Sequence, residues 1–334
     1  MRRLSLFVPL VLAACSADNV VPFGNDAASS ETINEDSVMV VDGVLMLPAT
    51  ASYVDFGVRL VNMPTEERLR WEERVGFSSL LSYADDVVEN SDLRLGEAQA
   101  RPELFCVSPD SIVDLDVPLS LAALANKDGY FRVGNAVCKV DNHRMAFVRG
   151  GNASLADEAL RSGALPDGAD GFVYAHSPRP ALKAAEATRR YKELTGHVRS
   201  SSLWTDYKIR VTTYVNKTYN YVERGVQVEQ SSKNFKKKVL RWRQHRDTNA
   251  YMYVKVRLLH PSLWENMRLE HRTVQLENYY GGKAVNHHRV TRLQGVYGDH
   301  PELDNIQPYI LGFDEGYLSG ANGMRLELKS LIPE

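Results

Sequence analysis

The sequence predicts an α+β protein: a small N-terminal helical and hairpin region, then a predominantly antiparallel β C-terminal domain built as a sandwich or an open barrel. Three observations carry this. Between 43 and 90 the apolar residues recur at helical spacing with proline and glycine punctuation. Between 130 and 149 the period shortens to two, with turn pairs between short runs. From 203 onward, stretches rich in Tyr, Val, Ile and Thr follow one another with no helical interval. The 334 residues, 44% hydrophobic and 25% charged, are those of a globular protein, which excludes disorder along most of the chain.

In chain order, Val44 to Leu47 reads as a short strand, and Ser52 to Asn62 as a helix with Tyr53, Phe56, Val58 and Leu60 as its contacts. Pro64 suits a first helical turn, so Glu66, Glu67, Leu69, Trp71 and Val75 lie on a second helix, over 64–75, stopped by Gly76. Phe77 to Asn90 reads as a third. The runs at Phe131 and Val133, Val137 and Val140, and Met145 and Phe147 are separated by "GN" and "DN", which predicts a three-stranded meander. Residues 43–150 are thus a helical module plus meander. Residues 151–200 read as a linker; the Ala-rich stretch 180–196 has helical propensity and a glycine stop. Residues 201–334 form the β-rich domain, and they are basic. From 201 to 300 there are 18 Lys and Arg against 8 Asp and Glu, a net +10 inside a chain of net −2.

The first residues carry an address. Arg2 and Arg3 precede an apolar run of about eleven residues from Leu4, too short to span a bilayer, which takes about 20. "LAAC" at 12–15 resembles the lipobox of bacterial lipoproteins, which implies a signal peptide over 1–14 and an acylated Cys15 as the first mature residue. Several acyl chains on one cysteine anchor firmly, at about 0.8 kcal/mol per buried methylene. Asp18, Asp26, Glu31, Glu35 and Asp36, with no Lys or Arg between Cys15 and Arg59, make 15–42 an acidic flexible tether. Ser16 stands where lipoproteins kept in the inner membrane commonly carry Asp, so the resemblance implies the outer membrane, on its periplasmic or cell-surface face.

Three further segments, "DGVLML", "MPTEERLRWEERVGFSSL" and "LANKDGYFRVGNAVCKV", taken with the lipobox and the aromatic, basic C-terminal part, resemble uncharacterised lipoproteins of Bacteroidota grouped in domains of unknown function. The resemblance implies export, anchoring and a mixed fold. It supplies no catalytic residues.

The strongest charge cluster is "NFKKKVLRWRQHR", 234–246. Lys236, Lys237, Lys238, Arg241, Trp242 and Arg243 interleave cations with an aromatic ring, a pattern that holds phosphate, sulfate or carboxylate groups; the same residues also suit the guarded edge of a sheet. Export makes nucleic acid an improbable partner, so an anionic glycan, lipopolysaccharide or an envelope protein is the expected one. "NHHR" at 286–289 invites a metal, but neighbours on a strand face opposite ways, so His287 and His288 cannot serve one site, and surface histidines are expected. "FDEGYLSGANG" at 313–323 lacks the spaced ligands of a calcium loop. No metal and no cofactor are expected. Glu66, Glu67, Glu72 and Glu73, among Arg68, Arg70 and Arg74, read as a solvated ion-paired helix face. Cys106 and Cys138 either bridge across a loop of about 30 residues, for about 3 kcal/mol, or remain thiols.

The expected function is a lipid-anchored, non-enzymatic binding module of the cell envelope. The alternatives are a hydrolase whose site assembles only in the fold, and a structural part of an outer-membrane assembly. A binding module predicts a shallow basic or aromatic patch; an enzyme predicts buried carboxylates and histidine converging on a cavity.

Overall fold

The computed structural model describes residues 33–49, 52–108 and 111–176, and from 189 to 329 the strands given below; the lipobox, Cys15 and the tether as far as residue 32 lie outside the described residues. The fold is α+β, with helices gathered in the first half and antiparallel sheets dominating the second. The described strands form no closed barrel.

The chain enters at Ile33, which is buried, so the expected tether gives way to folded chain before residue 42. β1 (Met39–Val41) and β2 (Val44–Leu47) form a hairpin whose turn, Asp42 and Gly43, takes positive φ at both residues, the geometry that Asp-Gly pairs favour. Helices α1 (Tyr53–Asn62) and α2 (Thr65–Val75) follow. The Ser52 side chain caps the first, accepting from the Asp55 N–H, and Gly76 ends the second in the left-handed region. α3 (Leu80–Glu89) starts on the Ser79 cap, and α4 (Ser91–Gln99) continues where the sequence had suggested no element.

β3 (Phe105–Val107) and β4 (Val113–Leu115) make a two-stranded ribbon, and α5 (Leu119–Ala122) is a single turn against α1. The crossing is close because residue 57 is glycine: a Cβ there would overlap the Ser120 carbonyl oxygen. The predicted meander is β5 (Tyr130–Val133), β6 (Ala136–Val140) and β7 (Arg144–Arg149). α6 (Ala153–Ser162) and β8 (Asp170–Ala175) occupy the region expected to be a linker. The first sheet runs β1-β2-β5-β6-β7-β8, antiparallel except for the parallel β2–β5 pair.

Period-two alternation sends Phe131, Val133, Cys138, Met145 and Phe147 from this sheet into one core with Tyr53, Phe56, Leu60, Leu80 and Leu81. Val137, Ala146 and Val148 point the other way, onto Ala156, Ala159 and Leu160 of α6. Cys106 and Cys138 are not bridged: one is on the β3–β4 ribbon opposite Asp114, the other wholly buried between Phe131 and Phe147. Burial raises the Cys138 thiol well above its ordinary range.

The described strands of the second half form two sheets. One runs β12 (Arg241–Gln244), β11 (Glu223–Lys238), β10 (Leu203–Asn220), β9 (Arg189–Ser200). β15 (Asn286–Arg292) and β16 (Val296–Tyr297) share the outer edge of β11 with β12. The other runs β14 (Leu269–Ala284), β13 (Asp247–Pro261), β17 (Tyr309–Gly320), β18 (Met324–Lys329). β9 corrects the expectation of a helix through 196. Its residues pair with β10 from Arg189↔Tyr214 to Ser200↔Leu203, and that continuous partner overrides local propensity.

Candidate functional site

Two places collect chemistry: the basic hairpin marked by the sequence, and a buried polar face that the sequence did not mark.

The hairpin is β11–β12, in the register Lys236↔Arg243, Lys237↔Trp242 and Lys238↔Arg241. Directly opposed residues share a face and consecutive ones alternate, so the cluster divides into two rows. Lys237 and Trp242 belong to one row; Lys236 and Arg243 belong to the other. The Lys237 and Lys208 ammonium groups lie 6.0 and 5.0 Å from the Trp242 ring centre, and Lys237 pairs with Asp206 at 3.6 Å. On the opposite row Lys236 lies 5.8 Å from the Tyr207 ring. Lys237 and Arg243 are exposed. The side chains of Lys238 and Arg241 lie outside the described residues.

The second place is the face of the β11 sheet that covers the helical module. Alternation puts Gln227, Glu229, Ser231 and Lys233 of β11 in one row. Asn216, Tyr214, Thr212 and Arg210 of β10 face them from one side, and Arg292, Val290 and His288 of β15 from the other. The reverse face of β10 and β11, with Ile209, Val215 and Val228, is buried and lies towards β13 and β17.

Gln227, Glu229 and Lys233 of the row find partners on the module, whereas Ser231 meets His288 of β15. Gln227 donates to the Ser120 hydroxyl at 2.7 Å. Glu229 accepts from the backbone N–H groups of Leu119 and Ser120, and from the Gln227 and Asn216 side chains. Lys233 donates to the Val113 carbonyl at 3.1 Å and to the Asp114 carboxylate, which Arg210 also reaches at 3.6 Å. Asn62 acts as a strand partner for β15: its oxygen accepts from the Val290 N–H at 2.9 Å and its amide donates to the Val290 carbonyl at 2.8 Å. Arg292 pairs with Asp55.

His288 joins the two halves most closely. Ser231 Oγ lies 2.8 Å from His288 Nδ1, and His288 Nε2 lies 3.0 Å from Asp85 Oδ1. Arg68, 1% exposed, donates to Asp85 Oδ2 at 3.1 Å and lies 3.9 Å from Glu72, whose carboxylate accepts from Ser79 at 2.6 Å and Ser82 at 2.9 Å. Beside Ser231 and His288, ringed by Asp85, Asp114, Tyr214 and Lys233, is a cavity with room for about one water molecule.

Two sequence expectations are corrected here. His288 is not a surface histidine: alternation turns it onto Asp85 and Ser231, while the side chain of His287 lies outside the described residues. Arg68 and Glu72 are not on a solvated face; their side of α2 meets α3, and of the charged residues of α2 Glu66, Glu67, Arg70, Glu73 and Arg74 remain exposed. Burial raises the Glu72 carboxyl, with Ser79 and Arg68 pulling the other way. Burial also pushes Glu229 up to about 7, against its four hydrogen-bond donors. At the junction of the halves, His176 is fully buried and held down to about 3 by burial; its Nε2–H donates to the Asp141 carbonyl at 2.9 Å.

No protein-family model matches the chain, and no curated protein matches it. Among solved structures it is similar to the crystal structure of a DUF4848 family protein from Bacteroides thetaiotaomicron, with 11% identity and a TM-score of 0.27, over 87% of this chain and 100% of that one. A likeness at that level carries no argument about activity.

Two outcomes follow from the buried row. Lys233→Met leaves the buried Asp114 carboxylate only the longer contact to Arg210 among the described cations and lowers stability by about 3 kcal/mol, whereas Lys237→Met, at an exposed pair, costs under about 1 kcal/mol; urea unfolding of both variants measures the contrast. Glu229, raised from an ordinary 4.5 to about 7, holds its proton in the folded state after the unfolded chain has lost it. Its contribution to stability is complete below about 4.5 and declines as pH rises through about 7. Unfolding midpoints measured across that window fall in the wild type and fall less steeply in Glu229→Gln.

Proposed function

We propose that this protein is a lipid-anchored binding module of the cell envelope, tethered through an acylated Cys15, that holds an anionic glycan or the acidic head of lipopolysaccharide on its β11–β12 hairpin. The observation that carries the reading is the hairpin register. It sets Lys237 and Trp242 in one row and Lys236 and Arg243 in the other, at the β12 edge of the sheet. An extended anion lying along that edge meets cations from both rows, and Lys208 and Lys237 both lie within cation–π reach of Trp242.

The buried row is a poorer candidate for a large ligand. Its groups bond mainly within the chain, and the cavity among them has room for about one water. Anchoring rests on the run from Arg2 to Cys15. No described helix is long and apolar enough to cross a membrane.

One experiment with two arms tests the reading. In a host that processes lipoproteins, the wild-type chain fractionates with the membrane pellet and Cys15→Ser with the soluble fraction; persistence of Cys15→Ser in the pellet contradicts the anchor. In the soluble Cys15→Ser background, binding to immobilised lipopolysaccharide and to an acidic-glycan array weakens at least tenfold when Lys236→Glu, Lys237→Glu and Arg243→Glu are combined, and weakens with added salt. Unchanged binding contradicts the hairpin site.

A further inference from the structure

The groups around His288 have the connectivity that activates a hydroxyl. His288 Nε2 faces a carboxylate, Asp85 Oδ1 at 3.0 Å, so the ring proton belongs on Nε2. That leaves Nδ1 as the acceptor for the Ser231 hydroxyl at 2.8 Å. The third member is itself held, since buried Arg68 donates to the other Asp85 oxygen at 3.1 Å. Nucleophile, base and orienting carboxylate therefore stand within hydrogen-bond reach of one another in the order that acyl transfer needs, with the two ring nitrogens exchanging the roles they have in serine proteases. We propose that Ser231, His288 and Asp85 form a nucleophile relay that hydrolyses a small acyl ester of the acetyl class.

Three features of the surroundings support the assignment. Ser231 and His288 both line the cavity beside them, so a reacting carbon has a place next to Oγ. Lys233, two residues along the same strand face, lines that cavity too; the Val113 carbonyl and Asp114 take two of its protons, which leaves a third N–H for a developing oxyanion. The Asp85 side chain is 18% exposed, so the relay meets solvent at its outer end while Ser231 is shielded. The cavity's volume, about that of one water, holds the reacting carbonyl oxygen and restricts the rest of the acyl group to the smallest. Larger groups would have to part β11 from α3.

The step balances without a cofactor. Ser231 Oγ bonds to the acyl carbon as its proton passes to His288 Nδ1, and the ester's alkoxide departs with that proton. Water then adds to the acyl carbon and gives a proton to Nδ1, and Ser231 Oγ leaves and takes it back. The products are the carboxylic acid and the alcohol.

Methanesulfonyl fluoride is the probe, because its acid group is small and sulfonylation of Oγ expels fluoride in a step of the same form. Treated with it, the full chain is expected to carry one methanesulfonyl group on Ser231, located by peptide mass spectrometry. Labelling should be at least 100-fold slower in His288→Gln and Asp85→Asn, and tenfold slower for the bulkier phenylmethanesulfonyl fluoride. No adduct at Ser231, or an adduct formed at the same rate in both variants, overturns the proposal. Circular dichroism checks that the variants fold. Should either fail, competition on the wild type decides: excess p-nitrophenyl acetate slows labelling of Ser231 if the relay takes acetyl esters, and an unchanged rate overturns the proposal.

Discussion

A strand face carrying Arg210, Glu229, Lys233 and His288 can be buried only where each of those groups finds a partner, because an unpaired buried charge costs several kcal/mol. That requirement governs how the two halves of this protein meet. The helical module supplies the partners from its own polar positions: Asp114 on β4, Asp85 on α3, the first N–H groups of α5, and Asn62 at the end of α1. Each is placed by ordinary local rules. α5 is a single turn whose opening N–H groups have no helical acceptor, and Glu229 takes them. Val290 is the one apolar side chain of β15 that reaches the module's core, and the Asn62 amide closes the backbone around it.

The same requirement explains why the module's interior is less apolar than its sequence suggests. Arg68 lies within a helix otherwise faced by Trp71 on the core side, and it is buried because Asp85 and Glu72 receive it. Ser79 and Ser82 then satisfy Glu72. The network therefore runs from Ser231 in the sheet through His288, Asp85 and Arg68 to the start of α3. Satisfied networks of this kind fix one docking geometry in preference to many.

Where local signals were strong, the sequence was readable. Ser52, Pro64 and Gly76 punctuate α1 and α2, and the "GN" and "DN" pairs separate β5, β6 and β7. Over 189–196 the helical expectation gives way to β9, because propensity is local whereas the pairing of β9 with β10 is not, and the Ala-rich residues 180–188 lie outside the described residues. The polar face was illegible for a related reason. Gln227, Glu229, Ser231 and Lys233 recur at every second position, which marks one strand face, but an alternating polar row reads as solvent-facing unless its partner is known. Asp85 lies 203 residues from His288, and Asp114 lies 119 from Lys233. The hairpin was visible as composition, and only the register showed how its six positions divide between two rows.

The central claim is that the polar face of β11 is docked on the module as part of one cooperative unit. Hydrogen exchange at the Leu119 and Ser120 amides, read residue by residue by NMR, tests it most directly. First-turn amides without an acceptor exchange freely, so protection at these two positions reports on Glu229 alone. The account predicts opening free energies equal to those of the Phe131 and Cys138 amides at the centre of the first sheet. Exchange at the rate of unprotected amides would contradict it.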